Sequence, residues 1–279
     1  MVTALAVLFV ATFLSTSSDA QTRRKPVSKA PAKVILKPVE LSSGAVRTSS
    51  GLTYIILKKG TGRLPKAGET VIYHYMGTFT NGVKFDSSLD RNDPFVFKLG
   101  AGPVIKGVEE AIAKLHVGDH AIMILPPEIA YGEKGTRNGV IPPNSTLIFT
   151  VEILDVKETT LSDLLFKLND TGGSSAMISR YRELKSTNFD NKKIYANEAE
   201  LNTLGYLLLR AKKTDDAVAI FKLNVEEYPR SANVYDSLAE AYVATGQKQL
   251  AIENYEKALE INPKFDSSIK ALEKLRSSP

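Results

Sequence analysis

The chain has 279 residues and 43% hydrophobic composition, enough apolar material for more than one core, and two domains are the expectation for that length. It contains no cysteine, which excludes a disulfide framework, a thiolate nucleophile, cysteine-ligated zinc and a lipidated N-terminal cysteine. The formal charge of +5 is concentrated in one short stretch rather than along a helix face, so it does not point to nucleic acid. The three histidines, His74, His116 and His120, lack the spacing of a metal site or a metalloprotease.

In chain order, residues 1–20 are expected to be a signal peptide. Ala4 to Leu14 is an apolar run too short to span a bilayer, and Ser18-Asp19-Ala20 offers the small residues that signal peptidase selects. No Lys or Arg precedes the run, which leaves an uncleaved anchor or a misplaced start as alternatives. The destination expected on this basis is the periplasm or the extracellular space, with no stable membrane insertion after cleavage. Residues 21–47 carry Arg23, Arg24, Lys25, Lys29, Lys33, Lys37 and Arg47 against Glu40, interleaved with Pro26, Pro31 and Pro38. Proline interrupts regular structure and like charges keep a segment extended, so this is a linker, a solvated spacer rather than a basic arm for an acidic surface.

Residues 48–157 alternate with period two between turn signals, the pattern of half-buried antiparallel strands. Tyr54 to Leu57 is one strand, and Val71, Tyr73 and Tyr75 alternate along the next. Asn81-Gly82 predicts a hairpin turn with both residues at positive φ, reversing Thr78–Thr80 into Val83–Asp86. Phe95, Phe97 and Leu99, then His120 to Leu125, then Leu147, Phe149, Val151 and Ile153 supply further strands. One helix interrupts them: Ile105, Val108, Ile112 and Leu115 form a single apolar stripe. An antiparallel sheet wrapped on one short helix is an α+β arrangement. Gly60-Thr61-Gly62 and Gly100-Ala101-Gly102 lack the following helix and the third glycine or lysine of a phosphate cradle, so no nucleotide cofactor is expected, nor any other.

His74-Tyr75, Lys84-Phe85-Asp86-Ser87-Ser88, Pro94-Phe95, Val104-Ile105-Lys106-Gly107, Val117-Gly118-Asp119, Ala130-Tyr131-Gly132, Ile141-Pro142-Pro143 and Thr146-Leu147-Ile148-Phe149 occur in this order. Together they resemble the FKBP-type peptidyl-prolyl cis/trans isomerases. The resemblance implies a cavity walled by Tyr75, Phe85, Phe95 and Phe149, with Val104 and Ile105 at the start of the helix and Val108 as its floor. It implies that Tyr131 donates a hydrogen bond to a substrate carbonyl, that the Ile105 backbone N–H holds another, and that Val140 and Ile141 form a flexible wall. Asp86, paired with the Tyr75 hydroxyl and Arg91, is implied to orient rather than to transfer protons. A carboxylate inside an apolar run is poorly explained by packing alone. Three departures stand out: Val108 replaces the family's usual tryptophan and implies a wider pocket, Met76 stands where threonine is common, and the loop from Glu133 to Gly139 is charged and longer than the short form.

After Lys157 helical spacing begins, with a connector over residues 158–195 in which Thr171-Gly172-Gly173 separates Leu161–Leu168 from Met177–Leu184. Residues 196–279 then repeat at intervals of 34: Leu204 with Leu238, Ala217 with Ala251, Phe221 with Tyr255, Pro229 with Pro263. This spacing resembles tetratricopeptide (TPR) repeats, two units at about 198–230 and 231–264, followed by a capping helix at Ser267–Arg276. Two units bury little, so the connector helices are expected to cover the other end. The resemblance implies a groove for a protein partner, although Asn202 and Tyr206 stand where a basic carboxylate clamp would need cations. The combined expectation is an isomerase that assists folding of exported proteins and takes proline-containing polypeptides as substrates. An FKBP-fold binding scaffold with little turnover, and an assembly scaffold acting through its repeats, are the alternatives.

Overall fold

The computed structural model describes residues 8–10, 37–39, 44–101 and 104–277, and the chain divides into two compact units, Met1–Val156 and Lys157–Pro279. The expected cleavage site and most of the linker lie outside the described residues. Within the linker, Lys37–Val39 (β2) pairs antiparallel with Leu8–Val10 (β1). The expectation that proline would exclude regular structure therefore fails at Pro38, because a two-stranded ribbon has free edges where a missing N–H costs nothing.

The first unit is built on β3 (Val46–Arg47), β4 (Thr53–Lys58), β5 (Thr70–Phe79), β6 (Lys84–Ser87), β7 (Phe95–Lys98), β8 (His120–Leu125) and β9 (Leu147–Lys157). Their order is β3-β4-β8-β9-β5-β6, with β7 also paired to β5. β3 lies in the stretch expected to be linker; both its residues are exposed, so it carries no apolar alternation to betray it. The register sets Tyr54 opposite Met123 and Met123 opposite Phe149, which lines up the core face. The helix α1 (Lys106–Ile112) lies on this face and buries Val108, Ala111 and Ile112. Gly107 permits the approach, since a Cβ there would come within 2.6 Å of Leu125. Leu115, expected on the helical stripe, is fully buried but follows the end of α1. The outer face is less open than half-burial implies, because Ile55, Ile72, Ile122 and Ile148 are buried as well.

The hairpin forms at Asn81-Gly82 with one difference from expectation: Gly82 alone takes a positive φ, of 80°. The N–H groups of Gly82 and Phe79 donate to the carbonyls of Phe79 and Val83, both at 2.9 Å. Asn81 contributes its side chain instead, accepting from the Val83 N–H at 3.0 Å. The buried Asp119 carboxylate is likewise satisfied, by the N–H groups of Gly60 and His116 at 2.7 Å each.

The second unit contains a short parallel pairing of β10 (Thr159–Thr160) with β11 (Ile194–Tyr195). Its helices are α2 (Leu161–Phe166), α3 (Asn169–Ser186, broken at Gly173), α4 (Glu198–Arg210), α5 (Thr214–Glu227), α6 (Ala232–Ala244), α7 (Lys248–Ile261) and α8 (Asp266–Ser277). The pairs α4/α5 and α6/α7 stack through α5 and α6, α8 closes on α7, and α2 and α3 pack on α4 and α5. Ala217 and Ala251 are fully buried, and a Cβ at Gly205 would strike the Phe221 ring at 2.4 Å. Carboxylates on one helix hold the polar groups at the start of another. Asp236 accepts from the hydroxyls of Ser267 and Ser268, at 3.0 and 2.5 Å. Glu198 accepts from Ser231 and Asn233, and Glu200 from the N–H and hydroxyl of Ser162.

Candidate active site

Six β-strand residues do not close against α1, and a cavity of about 480 Å³ remains where they meet its N-terminal end. Strand β5 contributes Tyr73 and Tyr75, β6 contributes Phe85 and Asp86, β7 Phe95 and β9 Phe149. Val104, Ile105 and Val108 line the cavity at the start of α1, and Tyr131 lines it from the loop after the turn at Pro127–Ile129. The rings brace one another edge-on: Phe85 meets Phe149 at 5.7 Å and 87°, and Tyr75 meets Phe95 at 6.0 Å and 83°. Such contacts fix ring orientation as well as filling space. Gly77 makes room for this, since a Cβ there would lie 2.5 Å from the Phe85 ring.

Nine of the ten residues singled out from the sequence thus share this cavity. The tenth, Ile141, does not line it. Its side chain is 4% exposed and belongs to the core cluster, and its backbone is pinned by Thr136, whose N–H donates to the Ile141 carbonyl and whose hydroxyl accepts from the Ile141 N–H, both at 2.9 Å. A Cβ at Gly135 would come within 2.2 Å of the Ile141 carbonyl, so the loop is folded tightly on itself there. Val140, its neighbour, is exposed. The wall expected from this pair is therefore an anchored loop with an apolar outer residue. Tyr73 was missed as a lining residue: its place in the Val71, Tyr73, Tyr75 alternation reads as core, and the available signal was that it shares a strand face with Tyr75.

Asp86 is the centre of a small polar network at the cavity. The Tyr75 hydroxyl donates to one carboxylate oxygen. Arg91 Nη1 and the Ser87 N–H donate to the other, at 2.5 and 2.8 Å, and Arg91 Nη2 reaches the Tyr75 oxygen at 3.2 Å. Burial works against the charge, yet the hydrogen bonds from Tyr75 and Arg91 outweigh it and hold the Asp86 carboxyl below its ordinary range. Burial first, and then the bond to Asp86, raises the Tyr75 hydroxyl above its own. An ionised carboxylate engaged by three donors is an acceptor and an orienter, with no basicity to spare.

A family profile described as FKBP-type peptidyl-prolyl cis-trans isomerase matches residues 61–154, the stretch that holds every cavity residue. FK506-binding protein 1 of Dictyostelium discoideum is 49% identical over 107 residues, 38% of this chain and 99% of that protein. The peptidyl-prolyl cis-trans isomerase Fkbp12 of Drosophila melanogaster is 50% identical over 108 residues, again 38% of this chain and 99% of that one. The chain belongs to the FKBP-type peptidyl-prolyl cis-trans isomerases. Among solved structures, that of FkpA from Escherichia coli is 41% identical, covering 42% of this chain and 53% of that one, with a TM-score of 0.39. A tetratricopeptide repeat profile matches residues 232–265, which holds α6 and α7 of this isomerase.

Proposed function

We propose that this isomerase works by holding the X-Pro amide half-way through its rotation in the cavity above α1. The barrier to that rotation, about 18–20 kcal/mol, is the loss of amide resonance. A planar amide is strongly dipolar; twisting it removes conjugation and part of that dipole, so a dry, aromatic-walled site favours the twisted form over either planar one. The observation that carries this reading is the convergence of Tyr75, Phe85, Phe95 and Phe149 with Ile105 and Val108 on one opening. Phe95, Phe149 and Val108 receive the pyrrolidine ring. Tyr131, which is 40% exposed, donates to a substrate carbonyl, and the Ile105 N–H, which precedes the first turn of α1, takes another. Asp86 keeps Tyr75 in place, and the exposed Val140 extends an apolar rim toward the flanking peptide.

The helical unit we assign to holding a protein partner, on the strength of its repeats, and the chain as a whole to folding of exported proteins, on the apolar run at Ala4–Leu14 and the small residues after it. The decisive experiment for the site is isomerisation of a proline tetrapeptide by the full chain and by Asp86→Val. The wild-type chain accelerates the exchange and the variant loses about tenfold in kcat/KM, equivalent to about 1.4 kcal/mol. Equal rates would remove Asp86 from the site. For the export reading, the N-terminal residue of protein recovered from the producing cells should follow Ala20, and a mature chain still starting at Met1 counts against it.

A further inference from the structure

One polar atom in the cavity has no role in the chemistry above: the hydroxyl of Tyr73. The residue is 4% exposed and lines the cavity. Its ring is held at centroid distances of 5.6 Å from Phe95, 5.9 Å from Phe97 and 5.9 Å from Tyr75, so the hydroxyl cannot swing out to bulk water. Among the described residues the hydroxyl has no hydrogen-bond partner. Nor is it sealed from solvent as the unpartnered side-chain oxygens of Thr70, Asn169, Asn202 and Asn224 are among the described residues. It therefore opens on the cavity. Burial, with the Tyr75 and Tyr131 phenols adding to it, pushes its ionisation well above the ordinary tyrosine range, which leaves a neutral phenol with its proton to give. For packing alone a phenylalanine would serve, and an unmatched buried hydroxyl is costly.

We propose that Tyr73 is a specificity-determining residue of the isomerase cavity, its hydroxyl donating a hydrogen bond to a carbonyl oxygen of the bound prolyl peptide. This rests on the cavity being the prolyl site. Proline has no N–H, so the segment entering the cavity offers acceptors and asks for donors. Tyr131 and the Ile105 N–H supply two from the rim and the helix start; Tyr73 supplies a third from strand β5. A ligand that fills the cavity without an acceptor at that point leaves the phenol unpaired and is disfavoured, which is how a polar atom in an apolar pocket discriminates.

The test is full-length Tyr73→Phe, measured for kcat and KM on a proline tetrapeptide, for affinity toward an N-alkylpyrrolidine lacking any carbonyl, and for thermal unfolding. The expected result is a loss of about three- to tenfold in kcat/KM, the size of one hydrogen bond. Binding of the carbonyl-free probe stays equal or tightens, and the unfolding temperature does not fall. A kcat/KM within about 1.5-fold of wild type overturns the proposal, since less than one hydrogen bond is then at stake. Parallel losses for peptide, probe and unfolding temperature also overturn it, by making Tyr73 a packing residue. A wild-type chain without activity on the peptide would instead sink the assignment of the cavity, a separate result.

Discussion

Phe149 belongs at once to the core and to the cavity, and separating those roles decides whether the cavity is where catalysis occurs. The ring is 7% exposed, meets Phe85 edge-on at 5.7 Å and lies 6.1 Å from Tyr75 at 59°. Truncation to alanine deletes a buried phenyl group, a change that costs about 3–5 kcal/mol. Against a typical domain stability of about 5–15 kcal/mol, that loss would confound any rate measurement. Phe149→Leu keeps most of the volume and removes the two ring contacts, each about 0.5–1.5 kcal/mol. The unfolding temperature should fall by about 5–15 °C, leaving the variant folded at assay temperature. In the cavity the same change takes away one aromatic wall from the pyrrolidine ring, which at about 1.36 kcal/mol per decade predicts a three- to tenfold drop in kcat/KM. The assay is exchange of a proline tetrapeptide at a temperature well below the variant's transition, with circular dichroism on the same sample. Full kcat/KM from a folded Phe149→Leu chain would refute the idea that this ring touches the reacting amide.

Gly77→Ala should act on the site from behind: its Cβ would come within 2.5 Å of the Phe85 ring and 3.2 Å of Phe149, so both rings must move, at about 1–3 kcal/mol in stability and with a clear loss of turnover by the same assay. Turnover should be flat between about pH 6 and pH 9, because Asp86 titrates below and Tyr73 and Tyr75 above that window. Since the Asp86 carboxyl is depressed in the folded chain, its contribution to stability is complete above its ordinary value of 3.8 and disappears as pH falls through the lower folded value. With the side chain 41% exposed, that contribution is at most about 0.2–1 kcal/mol, read as a small shift in acid unfolding midpoint on Asp86→Asn. In the helical unit, Asp236→Ala strips the acceptor from Ser267 and Ser268; amide exchange in α8 should accelerate, with about 1–3 kcal/mol lost.

The parts of the fold that follow from repetition were legible in the sequence. Alternation located β5, β7 and β9, apolar runs between turn signals located β4 and β8, and the interval of 34 residues located α4 to α7, because each pattern sums many weak preferences. What was missed depends on single contacts. β3 is two exposed residues that become a strand only by pairing with Thr53 and Tyr54. Ile141 and Tyr73 exchanged roles relative to expectation because an apolar residue on a core-facing position can end in the core or at its open margin, and only the placement of the loop around Thr136 and of α1 decides which. The two repeats also differ where Asn224 stands at the position of Ala258: fully buried, it spends its amide on the Glu198 carbonyl instead of packing as a small apolar residue.

The cavity and the core of the first unit are a single construction. Tyr73, Tyr75, Val108 and Phe149 appear in both, and among the described residues no side chain in the opening is poised to attack, protonate or deprotonate a substrate. A site of this kind draws its effect from shape and dryness, and shape requires that the rings stay where they are when nothing is bound. The edge-on contacts, the Asp86 network and the close passage of Phe85 over Gly77 supply that rigidity before substrate arrives. Substitutions that loosen the walls should therefore lower the rate in proportion to how far the rings relax, including those that, like Gly77→Ala, touch no substrate atom at all.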